Sequence, residues 1–172
     1  MRVLAICGST RAQSSNKRYL TAIGRLGHRW AYTLYEGLAA LPAFNPDIDP
    51  DHPPESVQAL LRLLSESDGV VICTPEYAMG VPGALKNAID WTVATSAFSG
   101  KPTALVTASL GGQKGHAALM ETLRVIEAKM NVGSELVISH AQTKIDALGV
   151  VTDPVTRDRL LGLVNALEEL MG

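Results

Sequence analysis

The chain lacks the marks of several protein classes. It has two cysteines in 172 residues. Cys7 and Cys73 do not have the C-x-x-C spacing of a redox dithiol or zinc site, so both are expected to be reduced core thiols closing buried strands. No apolar run approaches bilayer length, and the run after Met1-Arg2 is too short for a signal-peptide core, which points to a cytoplasmic protein without membrane attachment. Neither sign of charge dominates: 15 Lys and Arg stand against 17 Asp and Glu, for a formal net charge of −2. Their scattered placement gives no electrostatic footprint for nucleic acid and no basic amphipathic face. The lysine of G-x-x-x-x-G-K-[ST] and the second and third glycines of G-x-G-x-x-G are both missing, which argues against a triphosphate cradle and a pyrophosphate turn.

What is present fits one domain over residues 1–172, with an apolar fraction of 47% to fill its core. Short apolar runs at 2–7, 32–35, 69–73, 103–107 and 133–138 read as strands. Segments of helical period at 15–26, 55–65, 82–93, 115–130 and 154–170 alternate with them. Five βα units imply a parallel sheet covered on both faces, with ligands bound beyond the carboxyl ends of the strands. The loops after the first, third and fourth strands are therefore expected to cluster. The proline-rich piece 38–54 reads as a surface connection with little chemistry of its own.

The first of those loops is CGSTRAQSSN, Cys7 to Asn16. It joins a strand to a helix start, where backbone N–H groups and the positive helix end favour an anion. Hydroxyls of Ser9, Thr10, Ser14 and Ser15, the Asn16 amide and the Arg11 guanidinium surround it, which suits a terminal monophosphate. The same residues also read simply as helix N-cap candidates and a solvated arginine. After the third strand comes TPEYAMGVPGALKNAIDW, Thr74 to Trp91, where Pro75 stiffens the sheet exit and Pro82 suits a helix start. Backbone N–H groups of Tyr77, Ala78 and Met79 are expected to face a flat heteroaromatic ring there, with Tyr77 and Met79 supplying apolar surface.

GSTRAQSSN and PEYAMGVPGALKNAIDW together resemble the NADPH-dependent FMN reductase family, flavodoxin-like proteins that include quinone, azo and chromate reductases. YEGLAALPAFNPDID and TDPVTRDRL extend the match along the chain. The resemblance implies a flavodoxin-like three-layer α/β sandwich with strand order 2-1-3-4-5, bound FMN and NADPH or NADH as co-substrate. It also implies a small-molecule electron acceptor and a homodimer or homotetramer. It carries Ser9, Arg11, Ser14, Ser15 and Asn16 over to the FMN phosphate, and Pro75, Glu76, Tyr77, Ala78 and Met79 to the border of the isoalloxazine. Ser109, Gly111 and Gly112 in ASLGGQKG would close the other side, their glycines letting backbone approach a planar ligand. Where many relatives follow Glu-Tyr with Asn and place Ser before Val/Ile-Pro-Gly, this chain has Ala78 and Gly80, so two side-chain polar groups of the pattern are missing.

The implied activity is an oxidoreductase passing electrons from the nicotinamide through flavin N5 to the acceptor, with no dedicated catalytic acid or base. The alternatives are a flavodoxin-type electron carrier and a flavin-free regulatory relative. The chain has neither the strong acidity nor the Thr/Ser-x-Thr-Gly-x-Thr loop usual in flavodoxins. Among the histidines, His116 alone lies close to the proposed site, at the head of a helix, where it reads first as a partly exposed helix-start residue and second as a group meeting a nicotinamide or acceptor substrate. His28, His52 and His140 have neither metal-ligand spacing nor a paired nucleophile.

Overall fold

The computed structural model describes residues 1–48 and 50–172. Its strands are β1 (Arg2–Cys7), β2 (Ala31–Tyr35), β3 (Gly69–Thr74), β4 (Thr103–Ala108) and β5 (Glu135–Ile138). Between and after them run the helices α1 (Ser15–Leu26), α2 (Glu55–Glu66), α3 (Gly83–Val93), α4 (Gln113–Val125) and α5 (Pro154–Met171). All strand pairs are parallel, in the order β2-β1-β3-β4-β5. This is the flavodoxin-like arrangement.

The burial of each strand follows from its place in that order. Central β3 and β4 are buried at every position, as continuous apolar runs between two helical layers must be. Edge strands β2 and β5 are only intermittently buried. Alternate side chains face opposite layers. Val3, Ala5, Val71 and Val106 pack with Tyr19 and Ile23 of α1 and Leu160 and Leu163 of α5. Leu4, Ile6, Val70 and Leu105 pack with Leu60 of α2, Leu85 of α3 and Leu119 of α4.

Strand order reverses at β1, so a crevice opens between the carboxyl ends of β1 and β3. Cys7 pairs in register with Cys73, and Thr74 with Thr107, which brings the loops leaving these strands side by side. Gly8 makes that approach possible. Its N–H donates to the Cys73 carbonyl at 2.8 Å, and a Cβ on it would lie 2.3 Å from Thr74 Oγ1.

Several boundaries differ from the sequence reading. The fourth helix stops at Val125 instead of continuing to residue 130, because Glu127 takes a left-handed φ of 60° that no α-helix accommodates. Residues 132–134 form a 3-10 turn, so β5 starts at Glu135. The piece 38–54 is more than a surface connection. Leu38 and Leu41 are buried, and the Asn87 amide and Trp91 indole N–H both donate to the Pro42 carbonyl at 2.9 Å. Phe44 meets Trp91 edge to face at 5.2 Å, so the described part of this connection is fastened to α3.

Candidate active site

The loop after β1 forms through local hydrogen bonds. Ser14 caps α1 in an extended conformation, and its hydroxyl accepts the Asn16 N–H at 3.2 Å. The Ser9 hydroxyl accepts the Arg11 N–H at 3.4 Å and lies 3.3 Å from the Tyr77 hydroxyl, linking this loop to the one after β3. The Arg11 guanidinium and the Ser15 hydroxyl have no partner among the described residues, and both border a cavity at the N-terminus of α1. Asn16 behaves differently from the sequence expectation. Its amide donates to the Ala108 carbonyl at 3.2 Å and its carbonyl oxygen accepts the Cys73 thiol at 3.2 Å, so the side chain holds α1 to the sheet.

The cavity measures about 410 Å³, a size common for cofactor sites. Ser9, Arg11, Ser14, Ser15 and Asn16 form one wall, while Pro75, Tyr77 and Ser109 form another. Glu76, Ala78, Met79, Gly111 and Gly112 are not among its lining residues.

The loop after β3 is a tight turn. Tyr77 N–H donates to the Gly80 carbonyl at 3.1 Å, and Gly80 N–H to the Tyr77 carbonyl at 2.9 Å. The expected free N–H of Tyr77 is therefore engaged inside the turn. The two central residues, Ala78 (φ 48°) and Met79 (φ 61°), are both left-handed, the geometry of a hairpin turn that favours Asn and Gly. Tyr77 is 48% exposed and lines the cavity, while Met79, 74% exposed, leaves its apolar side chain on the surface of the same turn. Glu76 points elsewhere. Its carboxylate accepts the N–H groups of Gly115 at 2.6 Å and Gly112 at 3.4 Å, at the start of α4.

The loop after β4 is tied to the end of β5. Ser109 N–H donates to Ile138 O, His140 N–H to Leu110 O, and Ala141 N–H to Ser109 O, at 3.0–3.1 Å. Gly112 has φ 105°, and a Cβ there would lie 3.2 Å from Thr107 Cγ2, so both conformation and space call for glycine.

This pairing brings His140, Ala141, Gln142 and Thr143 into the cavity wall beside Ala108 and Leu110. Sequence reasoning missed them by clustering only three loops. The available signal was positional: they directly follow the strand adjoining β4. His116 keeps a structural place at the start of α4, but it is more buried than expected and does not line the cavity. His140 lines the cavity, whereas the His116 side chain is 12% exposed, with its ring between the Thr107 hydroxyl (2.9 Å) and the Glu135 carboxylate (3.1 Å). His116 thereby braces β4, α4 and β5 together. Burial pushes the thiols of Cys7 and Cys73 up, which keeps them protonated, as inert core thiols should be.

The sequence model of NADPH-dependent FMN reductases matches residues 1–143. The chain belongs to the NADPH-dependent FMN reductase family. It is similar to a 2-hydroxy-1,4-benzoquinone reductase from Burkholderia sp., at 32% identity over 93% of this chain and 90% of that one. It is similar to the quinone reductase of Escherichia coli K12, at 31% identity over 99% and 95% of the two chains. Among solved structures it resembles FerB, a flavoenzyme NAD(P)H:(acceptor) oxidoreductase from Paracoccus denitrificans. The TM-score is 0.87 and the identity 31%, covering 99% of this chain and 96% of that one. In this member of the family the loop that follows Pro75-Glu76-Tyr77 carries its left-handed turn on Ala78 and Met79.

Proposed function

We propose that this chain is an NAD(P)H-dependent oxidoreductase that uses bound FMN to reduce a small acceptor: a quinone, an azo compound, a metal oxyanion or free flavin. One observation carries the reading. A single cavity joins an anion seat, where Arg11 and Ser15 have no partner among the described residues, to apolar surface from Pro75, Tyr77 and Leu110. A phosphate ester with a flat aromatic ring has this combination of chemistries, and the residues present fit FMN.

In this reading Ser9, Arg11, Ser14 and Ser15 hold the phosphate at the positive end of α1, and Asn16 fixes the helix start beneath it. Pro75 and Tyr77 border the ring, with Glu76, Ala78 and Met79 completing their loop and Ser109, Gly111 and Gly112 the facing one. When bound, FMN supplies the redox chemistry, taking a hydride from the nicotinamide and giving electrons to the acceptor. The chain's task is to orient the ring, keep water from one face and place backbone dipoles where negative charge develops. Tyr77 and Met79 offer the nicotinamide and the acceptor apolar surface.

The proposal places one FMN-binding domain over residues 1–172 of a cytoplasmic homodimer or homotetramer. Among the described residues, no helix is long and apolar enough to cross a membrane.

The test is a visible spectrum of the protein after FMN is added and the excess removed, followed in the same cuvette by NADPH and then a simple quinone. Retained flavin that bleaches with NADPH and recovers with quinone is the expected result. Failure to retain flavin after reconstitution would overturn the proposal.

A further inference from the structure

The carboxylate of Glu76 turns away from the cavity wall to which its neighbours Pro75 and Tyr77 belong, and closes on the first turn of α4. The Glu76 main-chain carbonyl also accepts the Ser109 hydroxyl at 3.5 Å. One residue thus ties the loop after β3 to the loop after β4. It also sets a negative charge against the positive end of α4, which has no acidic residue in its own first turn and a glycine at its N-cap.

Resting on the FMN reading above, we infer that Glu76 is a positioning residue that sets the reduction potential of the bound flavin. The couple is oxidised flavin plus hydride giving the reduced flavin anion. Glu76 gains and loses neither proton nor electron in it. The reduced form carries a negative charge that the oxidised form lacks, so a positive helix end beside the ring loops would favour the reduced form. Glu76 offsets that field while anchoring both loops through α4. The flavin consequently remains a stronger reductant toward its acceptor. A purely structural tie would change affinity for both oxidation states alike and leave the potential where it was.

Glu76→Gln keeps an oxygen for the Gly115 N–H and removes the charge. The experiment is a spectroscopic redox titration of the FMN-loaded protein, with affinity for oxidised FMN and thermal stability measured separately. In the variant, reduced FMN should gain about tenfold in affinity relative to oxidised FMN, which raises a two-electron midpoint by about 30 mV. Gln113→Glu adds a charge at the exposed first position of the same helix and should move the potential downward. Glu121→Gln removes an exposed acid paired with Arg124 further along α4 and should leave it in place. Should Glu76→Gln fail to fold or to hold FMN, the Gln113→Glu result decides. Unchanged potentials in the flavin-loaded variants would overturn the inference and leave the FMN reading standing. A wild-type chain that binds no FMN would overturn both.

Discussion

The Asn16 amide donates to the Ala108 carbonyl at 3.2 Å while its oxygen accepts the Cys73 thiol, so one side chain joins the first turn of α1 to β3 and β4. Asn16 is 3% exposed, and water cannot readily replace these bonds. Asn16→Ala leaves the Ala108 carbonyl and Cys73 thiol without this partner. It is expected to destabilise the fold by about 2 kcal/mol, a scale typical of a buried polar group losing its partner. Chemical denaturation should show a lower midpoint with an unchanged slope. Because α1 would also be less firmly seated, FMN affinity should fall with stability.

Ala78 and Met79 occupy a turn suited to other residues. A non-glycine residue in the left-handed region carries a penalty of about 1–2 kcal/mol, which Asn partly relieves through local hydrogen bonding. Ala78→Asn is therefore expected to raise stability by about 0.5–1 kcal/mol. FMN binding should be unchanged or tighter, since the cavity wall is made by Pro75 and Tyr77 and not by Ala78. A thermal melt and an FMN titration of the variant check the two halves separately; a lower melting temperature would count against the turn argument.

Those two residues also mark what was legible beforehand. Alternating apolar runs and helical segments carried the element order, and the Ser14 cap and Pro154 start place two helix ends where their chemistry expects them. The residues between Cys7 and Asn16 could be read as one unit because strand, loop and helix are contiguous there, and Ser9, Arg11, Ser14, Ser15 and Asn16 do line one cavity. The wall from His140 to Thr143 was not legible, since it depends on backbone pairing with Ser109 and Leu110 far away in sequence. The partner of the Glu76 carboxylate was similarly opaque, being a helix end 39 residues on. Nor could spacing show that the Asn16 amide faces the sheet, a consequence of how closely α1 lies over β3 and β4.

Acid stability should depend on two hydrogen-bonded carboxyls, half-buried Asp153 and exposed Asp68. Hydrogen bonds from the Thr156 side chain and N–H hold Asp153 below the usual carboxylate range at the start of α5, and the Arg2 N–H does the same for Asp68. A carboxyl depressed in the folded state adds stability above its unfolded value, near pH 4, and that contribution is lost as the pH falls through the folded value. Asp153→Asn retains an oxygen for the helix cap but no longer titrates. The drop in melting temperature between pH 5 and pH 3 should therefore be smaller in this variant, and smaller again with Asp68→Asn added. An identical acid limb in all three proteins would show that these bonds do not differ between the folded and unfolded chains.

Arg11 offers the sharpest separation between a phosphate seat and a solvated surface charge. Its guanidinium has no ion-pair partner among the described residues, and it borders the cavity beside Ser9 and Ser15. If it pairs with the FMN phosphate, Arg11→Ala removes charge-assisted hydrogen bonds worth about 1.5–3 kcal/mol, or roughly tenfold to a hundredfold in affinity. Riboflavin has the same ring and ribityl chain but no phosphate, so its affinity should be almost unaffected. Fluorescence titration of both ligands against wild type and variant gives the ratio directly. An equal loss for the two would assign Arg11 to loop structure, since a disturbed loop weakens both, whereas loss confined to FMN can come only from the phosphate. High salt provides an internal control: screening should weaken FMN binding in the wild type more than in the variant and leave riboflavin unmoved.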